Sequence, residues 1–300
     1  MPGLLIKNGR VIDPASGVDE VTDVLIEKGV VFKVAKGLRA TPGAKVIDAV
    51  GKWVTPGLID MHTHLREPGY EYKETIETGA LSAAVGGFTS IACMANTEPV
   101  NDCASVTDMI TGKAKNAVVN VFPIGAVTQG LKGEKLAEIG EMAERGVVAL
   151  SDDGKCVMDA RLIRLAMEYG SMFGLTVIEH AEDHLLADGG VMNEGAQASR
   201  LGLVGQPKAA EDSIVARDIA LAEYLGLPIH IAHLSSANSI ELIRQAKKRG
   251  VKVTGEAAPH HFTLTDACCD GYNTNAKMAP PLRSDKDIDA IKKGLKDGTI

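Results

Sequence analysis

Residues 57–69 read Gly-Leu-Ile-Asp-Met-His-Thr-His-Leu-Arg-Glu-Pro-Gly, an apolar run that ends in two histidines one residue apart and then an arginine. In a β-strand, residues two apart share a face. His62 and His64 therefore point the same way, with Asp60 and Leu58 below them. Two imidazoles side by side at a strand end suit a metal ion better than they suit a core.

The stretch also marks a change of pattern along the chain. Before it, residues 1–55 read as short strands, LLIKNGRVI, DVLIEKGVVFKV and KVIDAVGKWV. They are broken at Asn8-Gly9, Pro14 to Gly17, Lys28-Gly29 and Pro42-Gly43, which is hairpin and turn chemistry. No helical stripe interrupts them, so this segment predicts a small all-β piece.

From residue 56 onward, apolar strand-like runs alternate with amphipathic helical stretches. The strands are expected at 58–64, 88–95, 117–125, 147–153, 175–181, 228–235 and 251–257. Helices are expected near 74–86, 104–115, 134–144, 159–172, 211–225, 238–249 and 285–297. Such alternation implies right-handed βαβ units and a parallel sheet. A doubly wound sheet is the alternative, but no Gly-rich dinucleotide fingerprint follows the first strand. Seven units at this spacing predict an α/β fold, a (β/α)8 TIM barrel over residues 56–300. The chain reaches Ile300 where the seventh helix ends. The expectation is therefore a barrel with its eighth unit missing and a C-terminally truncated chain.

Bulk properties narrow the function. Of 300 residues, 45% are hydrophobic and 24% charged, with a formal net charge of −7. That balance is ordinary for a globular protein and favours neither nucleic acid nor an anionic membrane surface. No apolar run approaches the roughly 18 residues of a membrane span, and the opening MPGLLIKNGR does not read as a signal peptide. Cys93, Cys103, Cys156, Cys268 and Cys269 form no C-x-x-C pair. Reduced thiols and a cytoplasmic location are expected.

In a barrel the chemistry sits at the C-terminal ends of the strands. Those ends carry His62, His64 and Arg66, then Asn96, then Asp152 and Asp153, then Glu179 and His180, then His233. Nitrogen and carboxylate donors without thiolates suit zinc, with manganese or cobalt as substitutes. On the fourth strand Ala149, Ser151 and Asp153 share one face, opposite Val148, Leu150 and Asp152. The bulky face belongs to the helices, so Asp153 is expected inward and Asp152 as a supporting or capping group. By the same parity His230 and His233 face opposite sides, and His233, nearer the strand end, is taken as the ligand. His184 is expected on the surface and Glu179 against the helices. His260 and His261 either line the site or serve the structure.

Together HTHLREPG, the MANT and SDDG loops, the E-H of the fifth strand, HLSS and AKMAPPLR resemble dihydroorotases of the bacterial type I class, in the amidohydrolase superfamily. The resemblance implies zinc-dependent, reversible cyclisation of N-carbamoyl-L-aspartate to L-dihydroorotate in pyrimidine biosynthesis. It implies a metal pair, with His62 and His64 on one ion, His180 and His233 on the other, and Asp153 bridging. Related hydantoinases bridge with a carboxylated lysine, but Lys155 lies beyond the strand end. Arg66, Asn96 and His64 match the family's substrate-binding positions. The family's Asn before P-P-L-R is Ala279 here, with Asn275 as a nearby substitute. Its proton-carrying Asp lies on an eighth strand, expected beyond Ile300, which makes residues 1–300 alone an expected inactive piece. The smaller β-domain of the family is a β-sandwich composed from both chain ends, and residues 1–55 match its N-terminal portion. A homodimer and an association with aspartate transcarbamoylase are implied as partners. Two rivals stand beside this reading: another cyclic-amide hydrolase, such as a hydantoinase or allantoinase, and a non-catalytic subunit that scaffolds aspartate transcarbamoylase. Arg66 argues against the first, and the retained ligands argue against the second.

Overall fold

The computed structural model describes residues 3–300; the first two residues of the expected 1–55 segment lie outside the described ones. The chain divides into two compact units, one ending at Leu58 and one spanning Ile59–Ile300.

The first unit holds β1 (Leu4–Asp13), β2 (Val18–Glu27), β3 (Val30–Ala35), β4 (Lys45–Asp48) and β5 (Trp53–Val54). Strand order is β3-β2-β1-β4, with β5 also pairing β1. The β1–β2 and β2–β3 pairs are antiparallel, while β4 and β5 run parallel to β1. The expected portion of a sandwich is thus a single mixed sheet.

The second unit begins its regular alternation with β6 (Leu58–Thr63), α1 (Ile76–Val85), β7 (Phe88–Cys93), α2 (Ala104–Ala114), β8 (Asn120–Pro123), α3 (Ile139–Glu144), β9 (Ala149–Leu150), α4 (Ala160–Ser171) and β10 (Thr176–Glu179). An excursion follows, with α5 (His184–Ala187), β11 (Met192–Asn193), α6 (Ala196–Leu201) and β12 (Gly205–Gln206). The alternation then resumes with α7 (Ala209–Leu225), β13 (Ile229–Ile231), α8 (Ala237–Lys248), β14 (Val253–Gly255) and α9 (Asp285–Asp297). Strands β6, β7 and β8 pair in order, and so do β9, β10, β13 and β14. A parallel bridge between Gly125 and Leu150 joins the two sets. Strand order therefore follows chain order, with helices between the strands. The architecture is a TIM-type (β/α) barrel, with seven βα units among the described residues.

Two apolar layers follow from strand parity. A small inner cluster contains Ala92, Met94, Ile124, Ala149, Ile178 and Ala232. The larger cluster, with Leu150, Val177, Ile229 and Ile231, packs against Ile163, Val215 and Ile243 of the helices. Ala149 and Leu150 fall in different layers, the division expected from their alternation.

The expected strand 147–153 is reduced to Ala149–Leu150, and beyond it the Asp152 side chain ties the chain to the loop after β8. Its carboxylate accepts from the Val127 and Thr128 amides at 2.7 and 3.0 Å and from the Thr128 hydroxyl. Positive φ at Gly130, Leu131 and Gly133 keeps the start of the expected helix 134–144 irregular. The excursion between β10 and α7 carries no period long enough to read in advance.

Helix α4 follows the fourth strand, packs against β10 and buries Leu162, Ile163, Ala166 and Met167. Its N-cap is Asp159, whose carboxylate accepts from the Arg161 amide at 2.7 Å. Asp159→Ala is expected to cost about 1 kcal/mol, the usual worth of such a cap, read as a lowered urea midpoint with unchanged slope. No helix of the described residues is long and apolar enough to cross a membrane.

Candidate metal centre

Beyond the last ladder residue of each strand the chain turns over the barrel mouth. Strand β6 delivers His62 and then His64, and the loop after it is clamped at several points. Leu65 packs so closely on Gly79 of α1 that a Cβ there would overlap its side chain. The Glu67 carboxylate accepts from the Ile76 amide at 2.8 Å. At Gly69 (φ +96) a Cβ would overlap the Glu98 carbonyl, and the Glu98 amide donates to Pro68 O at 2.9 Å. Only glycine suits that position. The first two loops are thereby locked together, which brings Arg66 and Asn96 to one side of the mouth.

The structure brings His62, His64, Asp153, His180 and His233 into one cluster of donor atoms, in two groups that share Asp153. His62 Nε2 and His64 Nε2 lie 3.3 and 3.6 Å from the two carboxylate oxygens of Asp153. His180 Nδ1 and His233 Nε2 each lie 3.6 Å from Asp153 Oδ1 and 2.8 Å from one another. Two ligands bound to one tetrahedral ion at about 2.1 Å stand roughly 3.4 Å apart. The spacings to Asp153 match that figure, and the His180–His233 spacing needs only a small opening. The residues present fit a pair of metal ions.

The outer nitrogens are also engaged. His64 Nδ1 meets Asn96 Oδ1 at 3.1 Å, and the Asn96 amide donates to Asp153 Oδ2 at 3.1 Å. His62 Nδ1 meets Glu256 Oε1 at 2.6 Å. A ligating histidine whose second nitrogen donates to a carboxylate or amide oxygen has its tautomer and ring plane set. The charges agree. Burial pushes Asp153 up, but hydrogen bonds from His180, His233 and His62 outweigh it and hold the carboxyl well below its usual range. Burial also disfavours a charged His62, yet hydrogen bonds to Asp153 and Glu256 raise it to about 10. Burial lowers His233 to about 4. The field at the centre favours a bound positive charge.

The placement of other residues corrects or completes the expectations. His230 and His233 do not face opposite sides. His230 Nδ1 bonds Thr254 Oγ1 at 2.8 Å and its Nε2 lies 3.4 Å from Glu256, while His233 reaches Asp153. Both turn inward because His233 has left strand geometry, with φ at +29. His184 is not simply a surface group: its Nε2 accepts from the Cys156 amide at 3.0 Å and so anchors the loop after Asp153. Asp152 lies outside the donor groups and Lys155 is exposed. His261 is buried, its Nε2 bonding Pro280 O at 2.9 Å. Asn96, expected to touch substrate, has its amide engaged by His64 and Asp153. Arg66 is half-buried, and its charge lowers the neighbouring His64 after burial has done so. Glu256 and His230 were not among the expected site residues. The signal for Glu256 was available, a carboxylate at the C-terminal end of the seventh strand.

A cavity of about 310 Å³ opens onto the cluster, lined by His62, His64, His233, Glu256, His260 and Ala279. Asn275 is exposed and lies outside that lining.

The family model described as Dihydro-orotase-like matches residues 51–239. A protein named dihydroorotase from Geobacter sulfurreducens is 59% identical over 298 residues, covering 99% of this chain and 70% of that protein. The chain belongs to the dihydroorotase-like family. A dihydroorotase from Ruminiclostridium cellulolyticum is 57% identical, covering 99% of this chain and 69% of its own length. Among solved structures, dihydropyrimidinase from Brevibacillus agri superposes with a TM-score of 0.82 at 26% identity, covering 99% of this chain and 67% of that one. Membership of the dihydroorotase-like family and the likeness to dihydropyrimidinase agree with the barrel.

Proposed function

We propose that this barrel carries the metal centre for the reversible cyclisation of N-carbamoyl-L-aspartate to L-dihydroorotate, with zinc as its metal. The observation that carries this reading is the carboxylate of Asp153 shared between two histidine pairs, with Arg66 near enough for its charge to act on His64. Donors that are nitrogen and oxygen, without thiolate, suit zinc. When bound, a metal pair supplies Lewis-acid polarisation of an amide carbonyl and activation of water at neutral pH.

The chain's own residues do the rest. Asp153 holds both donor groups in register, and Asn96 fixes the His64 ring between itself and that carboxylate. Arg66 offers a planar fork to the carboxylate that both substrate and product carry, an interaction worth roughly 1.5–3 kcal/mol. The walls of the cavity, Ala257, Ala258, Pro259 and Ala279 among them, surround a small ring with apolar surface and leave the polar groups to orient it. Ala279 contributes no hydrogen bond there, so recognition rests more heavily on Arg66.

Zinc titration followed by assay in both directions tests the reading. Uptake of two equivalents is expected, with dihydroorotate opened in preference to 5-substituted hydantoins. Failure to take up zinc would sink the metal assignment, and faster opening of the hydantoins would replace the substrate. A cytoplasmic homodimer that associates with aspartate transcarbamoylase belongs to the same reading, and sedimentation of the protein alone and with that enzyme tests it.

A further inference from the structure

We propose that Glu256 is the positioning residue of the centre, one carboxylate that orients a histidine from each of the two donor groups. Glu256 follows β14 directly, and Thr254, two residues earlier on the same face, is paired in register with His230 of β13. The carboxylate therefore projects over the barrel mouth, where it lines the cavity with His62 and His233.

Its first contact sets His62. Glu256 Oε1 lies 2.6 Å from Nδ1, while Nε2 of the same ring lies 3.3 Å from Asp153 Oδ1. A neutral imidazole has one N–H and one lone pair. With the Nδ1–H donated to Glu256, Nε2 is the nitrogen turned to Asp153, and its lone pair becomes available to a metal ion that displaces the proton held between them. Without that acceptor the ring is free to flip or to change tautomer, and the lone pair then points away.

The second contact sets His233 through its backbone. The His233 amide donates to the same Oε1 at 3.3 Å. That residue adopts φ +29, a sparsely populated region for anything but glycine. It is this turn that swings the ring from the helix side to the mouth, and strained backbone persists only where its surroundings hold it. The Leu234 amide donates to the Glu256 carbonyl at 2.8 Å, and the Glu256 amide to Ile231 O at 3.1 Å, so the two segments are also tied along the main chain.

A third contact keeps the carboxylate in place. His230 Nε2 lies 3.4 Å from Oε2, and His230 Nδ1 lies 2.8 Å from Thr254 Oγ1. The bond between Nδ1 and the Thr254 hydroxyl fixes the ring plane, so that its Nε2 edge faces Glu256. His230 thus serves the centre without being a ligand, which accounts for an inward histidine on β13 beside the one just past its end.

This inference rests on the reading that His62, Asp153 and His233 hold metal. Zinc affinity measured by chelator competition, beside the absorption spectrum of the cobalt-loaded protein, tests it on the parent, Glu256→Ala and Glu256→Gln. Residues that orient metal ligands typically contribute about 10–100-fold in affinity. Glu256→Ala is expected to lose about 100-fold, and Glu256→Gln, which keeps an acceptor of the same reach, about 10-fold, each with an altered cobalt spectrum. If Glu256→Ala fails to fold, Glu256→Gln carries the test alone. Parent affinity and spectrum in the variants would overturn the role of Glu256 while leaving the metal reading intact. No uptake by the parent would overturn both.

Discussion

Asp153→Asn is expected to reduce turnover by at least about 10³-fold in kcat/KM and to cut metal uptake from two equivalents to one or none. The polarisation lost with a metal is worth several kcal/mol, and each 1.36 kcal/mol is tenfold in rate. The position explains why this change should exceed the others. Asp153 Oδ1 faces His62, His180 and His233, while Oδ2 faces His64 and accepts from Asn96. No other carboxylate belongs to both donor groups among the described residues. Asparagine keeps the shape but removes the charge, and it aims either an N–H or a neutral oxygen at imidazole nitrogens that need an anion between them. Elemental analysis after zinc loading and steady-state kinetics, with circular dichroism to confirm folding, give the answer. Two equivalents bound with activity within tenfold of the parent would show that Asp153 is not the shared ligand.

Arg66→Ala is expected to lower kcat/KM for dihydroorotate by roughly 10–150-fold, the rate equivalent of a 1.5–3 kcal/mol charged hydrogen bond. The arginine sits at φ +59 in a loop clamped at Glu67 and Gly69, so its guanidinium is presented by a rigid backbone. Dihydrouracil, the same ring without a carboxylate, offers the control. The parent should turn it over poorly, and Arg66→Ala should leave that slow rate nearly unchanged. Because the Arg66 charge also lowers His64, an equal loss for both compounds would mean that Arg66 acts through the histidine and not on the substrate carboxylate.

Much of this centre was legible before any coordinates. The alternation of apolar strands with amphipathic helices implies a parallel sheet covered on both faces, and seven such units with no Gly-rich fingerprint after the first strand favour the barrel over a doubly wound sheet. The one-residue gap between His62 and His64 puts both on one face, and the parity of Ala149, Ser151 and Asp153 separates the inward carboxylate from Asp152. In each case the residues belong to a strand or follow it directly, where the period of two still holds.

Parity failed at His233, and for the same reason in reverse. Past Ile231, the last ladder residue of β13, no cross-strand hydrogen bond sets the dihedrals, and the turn at φ +29 reverses the direction of the ring. The partners of the outer imidazole nitrogens were equally out of reach. Asn96 comes from the second strand's end and Glu256 from the seventh's, and nothing in either local sequence says which histidine each will meet. The sequence by itself determined the barrel, the order of its units and the residue types on its rim, because those follow from local period and composition. Which nitrogen of each histidine faces the centre was decided only by the tertiary structure, because a tautomer is set by a hydrogen-bond partner that the closing of the barrel brings from far along the chain.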